Sequence, residues 1–473
     1  MSHRFRRLAV LFSLPAALAA LLVLPAQAEQ RRLPRDNGEV MLSFAPVVQE
    51  TAPAVVNVYA TRMVARRRNP FEDDPFFRRF FGGRGFGVPQ ERAQASLGSG
   101  VLVSADGIVV TNNHVVADAT EIKIALADRR EFEADIIVKD ERTDLAVLRV
   151  RGAKEKFAHL ELGDSDALQV GDIVLAIGNP FGVGQTVTNG IVSALARSGV
   201  GVTDYQSFIQ TDAPINPGNS GGALVDMAGR LIGINTAIFS RSGGSHGIGF
   251  AIPANMVRLV VESVKTGGVV RRPWFGARVQ AVTAEIAQSM GLARPVGVLV
   301  VDVTKNGPAD KAGLRIGDLV TSVAGQEIAD LDGFGYRFST QGIGGKAELG
   351  IIRNGKEMTS RIVLEAAPEV PPRDETLLKG RHPLAGARVV NLSPAVAEEL
   401  RVDPEGAGVV VSEIAPGSPA ATIGLVRGDA ILDVNGEQIE NVRMLQQTLA
   451  KRAYRWRLVI DRGGQTLTMV LGG

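Results

Sequence analysis

Seven consecutive residues, Asn216-Pro217-Gly218-Asn219-Ser220-Gly221-Gly222, set a serine in a turn almost free of side chains. A serine alcohol is a weak nucleophile until a neighbouring base takes its proton and nearby donors hold the oxyanion that develops. With no side chain at Gly218, its N–H and that of Ser220 are free to aim at one point, which is what acyl transfer needs. Asn, Pro, Gly and Ser are also ordinary turn formers, so the heptad gains meaning only from partners elsewhere in the chain.

A base is found upstream. The strand-like run 108–111 leads directly into Asn112-Asn113-His114-Val115-Val116, which places an imidazole just beyond a strand end. Among the other histidines past residue 28, His159 and His382 adjoin polar stretches containing lysine or arginine, and His246 lies among glycines. Asp144 heads the apolar run 145–150, where a carboxylate accepts the imidazole N–H, fixes its tautomer and stabilises the imidazolium. Asp140, Asp164 and Asp166 read as turn or capping aspartates. The order His114, Asp144, Ser220 is that of chymotrypsin-like barrels and differs from those of subtilisins and α/β-hydrolases.

The elements that must hold these groups read as short strands. Runs at 122–126, 135–138, 173–177, 187–192 and 231–237 recur between turn signals, and 54 glycines among 473 residues favour turns over long helices. Residues 43–59 read as a short helix followed by a strand. At 253–266, Met256, Val260 and Val264 recur at helical spacing before Gly267-Gly268 stops the helix. Residues 62–95, with Arg66-Arg67-Arg68, Phe76, Phe77, Phe80 and Phe81, read as a long mobile loop whose phenylalanines suit contact with another subunit. Glu72, Asp73 and Asp74 argue against a nucleic-acid patch there.

Length sets a soft prior of roughly three domains at about 150 residues each. Arg4, Arg6 and Arg7 precede the apolar run 8–24 and the small-residue site Ala26-Gln27-Ala28, the pattern of an export signal cleaved after residue 28. Losing those three arginines takes the formal charge from +2 to −1, so the basic balance carries no message about nucleic acid. No later apolar run reaches spanning length, so no membrane span is expected after cleavage. With no cysteine in the chain, stability is expected from packing and assembly rather than disulfides. No metal or cofactor is expected. Without a phosphate-binding loop of the Walker type, substrates should arrive already unfolded.

Six ordered motifs resemble the HtrA family of serine proteases: Leu97-Gly98-Ser99-Gly100, Thr111-Asn112-Asn113-His114-Val115, Thr143-Asp144-Leu145-Ala146, Ala176-Ile177-Gly178-Asn179-Pro180, Gln210-Thr211-Asp212-Ala213 and the Ser220 heptad. The resemblance is strongest to periplasmic, two-PDZ, Do/DegQ-like members. It implies two six-stranded barrels with the triad in the cleft between them. His114 would be the general base, Asp144 its orienting carboxylate and Ser220 the nucleophile. The amides of Gly218, Asn219 and Ser220 would form the oxyanion hole. Pancreatic relatives carry an aspartate before the serine; Asn219 stands there, so activation is expected from loop ordering. No acid leads into the heptad at Ala213-Pro214-Ile215. A pocket lined by Ile215, Thr236, Ala237 and Ile238 would favour cleavage after small aliphatic residues, because a buried unpaired cation is costly. Asp212 is expected to be a hydrogen-bonded structural acid.

The tail repeats itself at an offset of 111: Gly297 with Gly408, Pro308-Ala309 with Pro419-Ala420, Gly313-Leu314 with Gly424-Leu425, Gly317-Asp318 with Gly428-Asp429 and Gly325 with Gly436. Two copies are too few for a solenoid and read as separate modules. Each resembles a circularly permuted PDZ domain, which adds a peptide's C-terminal strand to its sheet and holds the carboxylate in backbone amides. The matching loops are Trp274-Phe275-Gly276-Ala277 and Leu384-Ala385-Gly386-Ala387.

The expectation is a mainly β chain: a signal at 1–28, a chymotrypsin-like double-barrel protease domain at 29–268, PDZ modules at 269–366 and 376–473, and a proline-rich linker at 367–375. It should act in the periplasm as an ATP-independent endopeptidase on unfolded proteins, with C-terminal peptides bound at the PDZ modules and assembly into a homotrimer or larger cage. The alternative is a chaperone or scaffold whose proteolysis is dormant.

Overall fold

The computed structural model describes residues 43–63, 93–179, 184–197, 207–216, 218–238, 247–402, 408–451 and 453–472. The expected export signal and residues 64–92 of the expected loop lie outside them. Val47–Gly473 forms one compact unit.

After a short helix, Ala45–Thr51, six strands close a first barrel: β1 (Val55–Met63), β2 (Ala93–Leu102), β3 (Ile108–Asn112), β4 (Glu121–Ala125), β5 (Glu131–Asp140) and β6 (Leu145–Val150). Their order around the barrel is β1-β2-β3-β6-β5-β4. A second barrel, β7 (Ile173–Gly178), β8 (Thr186–Arg197), β9 (Phe208–Thr211), β10 (Ala223–Val225), β11 (Leu231–Ile238) and β12 (Gly249–Pro253), closes in the order β10-β11-β12-β9-β8-β7. Alternation builds the walls: on β4, Ile122 and Ile124 are buried while Glu121 and Lys123 are exposed. Strands β3 and β12, covered on both faces, are buried throughout.

Several elements run further than the apolar pattern predicts. β5 and β8 extend past the expected 135–138 and 187–192 because bulges, at Ile136/Val138 and Val192/Ala194, carry pairing through residues with no alternation. The expected loop 62–95 is likewise trimmed, since Arg62 pairs with Gln94 and Met63 with Ala93 as the β1–β2 ladder continues outward. The helix Ala254–Glu262 buries Met256, Val257, Leu259 and Val260 as its spacing demands. It then tightens into a 3-10 turn, Ser263–Thr266, which ends at Gly267 in the left-handed region (φ 90°).

Two further sheets follow. The first contains β13 (Ala277–Ala281), β14 (Val298–Val303), β15 (Leu319–Val323), β16 (Gln326–Glu327), β17 (Lys346–Arg353) and β18 (Lys356–Val363), with β13 at one edge. The second contains β19 (Thr376–Leu377), β20 (Ala387–Asn391), β21 (Val409–Ile414), β22 (Ala430–Val434), β23 (Glu437–Gln438), β24 (Arg455–Arg462) and β25 (Gln465–Gly472), in the order β19-β20-β21-β22-β24-β25. β17 and β24, related by the repeat, show the same burial pattern. Each sheet packs its longest helix, Leu331–Ser339 in the first module and Val442–Ala450 in the second, into a core of its own.

Candidate active site

Register brings two of the three groups together. β3 and β6 pair Asn112 with Leu145, and the ladder runs one step further as the Asn113 amide donates to the Asp144 carbonyl at 2.9 Å. His114, on the four-residue helix Asn113–Val116, therefore lands beside Asp144. Asp144 adopts a left-handed backbone (φ 56°), a conformation that an aspartate tolerates and a bulky residue does not. That twist lets one residue offer its carbonyl to Asn112 and Asn113 and its carboxylate to three other donors. Oδ1 accepts from the His114 amide at 2.9 Å; Oδ2 faces His114 Nδ1 at 2.7 Å and accepts from Thr236 Oγ1 at 2.9 Å. The carboxylate is buried (9% exposed), whereas the imidazole is 51% exposed. With Nδ1 committed to the carboxylate, Nε2 is the nitrogen left to exchange a proton.

The third group comes from the second barrel. Ser220 lies just before β10, and its hydroxyl donates to the Thr236 carbonyl at 3.2 Å. Thr236 thus touches both ends of the constellation, its hydroxyl on Asp144 and its carbonyl on Ser220. Ser99 on β2 ties the heptad to the first barrel: its amide donates to the Ser220 carbonyl at 2.8 Å and its hydroxyl to the Gly218 carbonyl at 2.6 Å. The same hydroxyl accepts from the Asn179 amide at 2.8 Å. These contacts explain why the heptad is so short of side chains. A Cβ on Gly221 (φ 83°) would sit 2.1 Å from the Ser99 carbonyl oxygen. Asn219 is buried, and its amide donates to the Asn216 carbonyl at 3.0 Å, whereas the amides of Gly218 and Ser220 have no acceptor among the described residues.

The expected pocket residues are placed differently from one another. Ile215 belongs to the second barrel's core cluster with Val174, Ile209 and Leu224, and Thr236 is spent on Asp144 and Ser220. The side chains of Ala237 and Ile238 lie outside the described residues. Asp212 accepts from the Ile191 amide at 2.7 Å, as a structural acid does. Asp140 reads as a turn residue in the sequence, and the structure gives it a larger part. It is buried, accepts from Thr143 Oγ1 and pairs with the equally buried Arg272, which precedes the first tail module. Sequence reasoning also passed over Ser99 and Thr236 as parts of this framework.

In the first tail module, Phe275 is buried against Phe334 and Phe338, with ring centroids 4.9 and 5.2 Å apart, and Gly276 takes φ 72° ahead of β13. In the second, Leu384, Ala385 and Ala387 are buried, and Gly386 takes φ 89° ahead of β20.

Known families and proteins match this chain along its length. The family described as trypsin-like peptidase domain matches residues 98–234, and PDZ domain families match 273–364 and 381–458. The periplasmic serine endoprotease DegP of Escherichia coli (strain K12) is 38% identical over 485 residues, covering 98% of each chain. The periplasmic pH-dependent serine endoprotease DegQ of the same strain is 36% identical over 468 residues, covering 98% of this chain and 97% of its own. Among solved structures, the HtrA-type protease AlgW with decapeptide is 47% identical, with a TM-score of 0.51 over 69% of this chain and 99% of that one.

Proposed function

Because this chain belongs to the HtrA family of serine proteases, alongside the periplasmic endoproteases DegP and DegQ, we propose that His114, Asp144 and Ser220 form the catalytic triad of a serine endopeptidase. The observation that carries the assignment is the buried Asp144 carboxylate holding His114 Nδ1 at 2.7 Å, while Thr236 links that carboxylate to the Ser220 hydroxyl. In this mechanism Ser220 Oγ leaves the Thr236 carbonyl, gives its proton to His114 Nε2 and attacks the peptide carbonyl. The Gly218 and Ser220 amides hold the oxyanion, the imidazolium protonates the leaving amine, and water then releases the acyl group by the reverse path.

The enzyme works in the periplasm and carries PDZ modules for peptides. The substrates we propose are unfolded exported proteins, cleaved after small aliphatic residues. In support, Asp212, the acid that precedes the heptad, is exposed and accepts from the Ile191 amide. Assembly into a trimer or larger cage remains part of the proposal. Ser220→Ala should lower casein hydrolysis by about 10⁴-fold or more, and wild-type hydrolysis by that variant would refute the triad. One observation favours the dormant alternative, the Ser220 hydroxyl resting on a carbonyl rather than a base. Fluorophosphonate labelling with and without a C-terminal peptide separates the two, and no labelling in either condition would favour the binder.

A further inference from the structure

The two tail modules differ at the edge where a peptide would add. In the first, β13 ends its sheet, and the amides of Phe275 and Gly276 have no acceptor among the described residues. In the second, β19 lies on the matching edge, antiparallel to β20, with Thr376 opposite Val389 and Leu377 opposite Arg388. One residue on, the Leu378 amide donates to the Ala387 carbonyl at 2.8 Å, and the Gly386 amide donates to the Leu378 carbonyl at 2.9 Å. The chain thus approaches the start of β20 in the direction a captured C-terminus takes, and a loop amide that would hold its carboxylate holds a peptide carbonyl instead. The other amides of that loop are also engaged, Ala385 with His382 and Ala387 with Leu384.

The side chain completes the likeness. Leu378 is 3% exposed and shares a core cluster with Leu384 of the loop and with Leu445 and Leu449 of the helix Val442–Ala450. That helix is the repeat counterpart of Leu331–Ser339, whose Phe334 and Phe338 pack on Phe275. The preceding stretch is docked rather than free. The Ala395 amide donates to the Pro368 carbonyl, Asn391 donates to the Pro372 and Arg373 carbonyls, and Glu375 pairs with Arg388 at 3.1 Å.

We propose that Thr376, Leu377 and Leu378 are a built-in ligand of the second PDZ module, seated in its peptide groove, so that capture of C-terminal tails falls to the first module alone. A tethered segment competes at an effective concentration on the order of mM, which a tail of micromolar affinity does not overcome. The inference rests on reading both loops as carboxylate sites, and it adds that one of them is already filled.

The test uses the full chain carrying Ser220→Ala and a fluorescein-labelled decapeptide copying residues 369–378 with a free C-terminal carboxylate. Its amidated form serves as control. Peptide should leave hydrogen exchange at 385–391 unchanged. Leu378→Asp, which puts a charge in the apolar core, should open the groove and add one peptide per chain, for the free carboxylate only; Leu378→Ala serves if that variant fails to fold. Joining Thr376→Cys to Val389→Cys, the only cysteines then present, should keep the groove shut. The proposal falls if peptide protects 385–391 in the unopened or the joined chain, or if a folded, opened chain gains no site. A first module that takes no peptide would sink tail capture there, while the opened second groove would still decide this claim.

Discussion

Thr236 shows how one side chain sets the electrostatics of the proposed triad. Its hydroxyl is one of three donors to the Asp144 carboxylate and the one supplied by the second barrel, so removing it leaves a buried lone pair without its partner. Thr236→Val should lower kcat/KM for a chromogenic peptide by about tenfold, equivalent to about 1.4 kcal/mol, with Thr236→Ser restoring most of it. Equal rates in Thr236→Val and wild type would remove Thr236 from the framework. In the sequence this residue reads as part of the pocket wall, and only the meeting of β11 with the β5–β6 turn gives it this other task. His114 and Asp144 were legible because each sits at a strand terminus within a short, ordered motif.

At the scale of elements, the β5–β6 turn is held by a buried ion pair from outside the barrel. Arg272 and Asp140 are only 3% and 6% exposed, and Asp140 also accepts from Thr143, the residue before Asp144. Removing one partner strands a buried charge, so Arg272→Gln should cost about 3–5 kcal/mol in denaturant unfolding and loosen the turn that aims Asp144. A loss below about 1 kcal/mol would show the pair to be solvated.

The loop after β19 behaves differently with pH. Burial holds the His382 imidazole below its ordinary range, opposed by its contact with the Lys379 carbonyl, and the ring lies edge-on to Trp456. A histidine depressed in the folded state binds its proton better when unfolded. Its contribution is therefore complete above the unfolded value near 6.5 and is lost as pH falls below it. Acidification from pH 7.5 to 5.5 should increase hydrogen exchange at 385–388, because the Ala385 amide rests on the His382 carbonyl, and His382→Gln should blunt the effect. Identical pH profiles for the two chains would acquit His382.

For the molecule as a whole, the helix of the first PDZ module meets the protease domain at the 3-10 turn Ser165–Ala167, which connects the two barrels. Leu331–Ser339 turns Phe334 and Phe338 toward Phe275, while Tyr336, buried so that its phenol is pushed well above the usual range, donates to Asp166 at 3.1 Å beside Ser165. Arg337 pairs with the same Asp166 at 2.6 Å. Tyr336→Ala removes the buried ring together with its hydrogen bonds, a change on the order of 3–5 kcal/mol in comparable cores. It should separate the thermal transitions of module and barrel in calorimetry. A single unchanged transition would mean that other contacts hold them. With no cysteine in the chain, such docking depends on packing and polar contacts alone.

What the sequence determined by itself was whatever short spans encode: the side-chain-poor heptad, the histidine and aspartate at strand ends, their order along the chain, and a tail repeated at a fixed offset with its turn glycines. The resemblance these motifs carry implied the double barrel, and the repeat implied the paired modules. Tertiary structure alone decided what depends on distant segments meeting. It packed Ile215 into the second barrel's core cluster, gave Ser99 and Thr236 their hydrogen bonds to the heptad and Asp144, and set Arg272 against Asp140. It also laid a two-residue strand, the first residues after the proline-rich linker, on the edge of β20. The reason is physical: turn chemistry and hydrophobic periodicity act within a few residues, whereas a buried charge pair or an edge pairing draws its free energy from desolvation and register that exist only once the chain has folded.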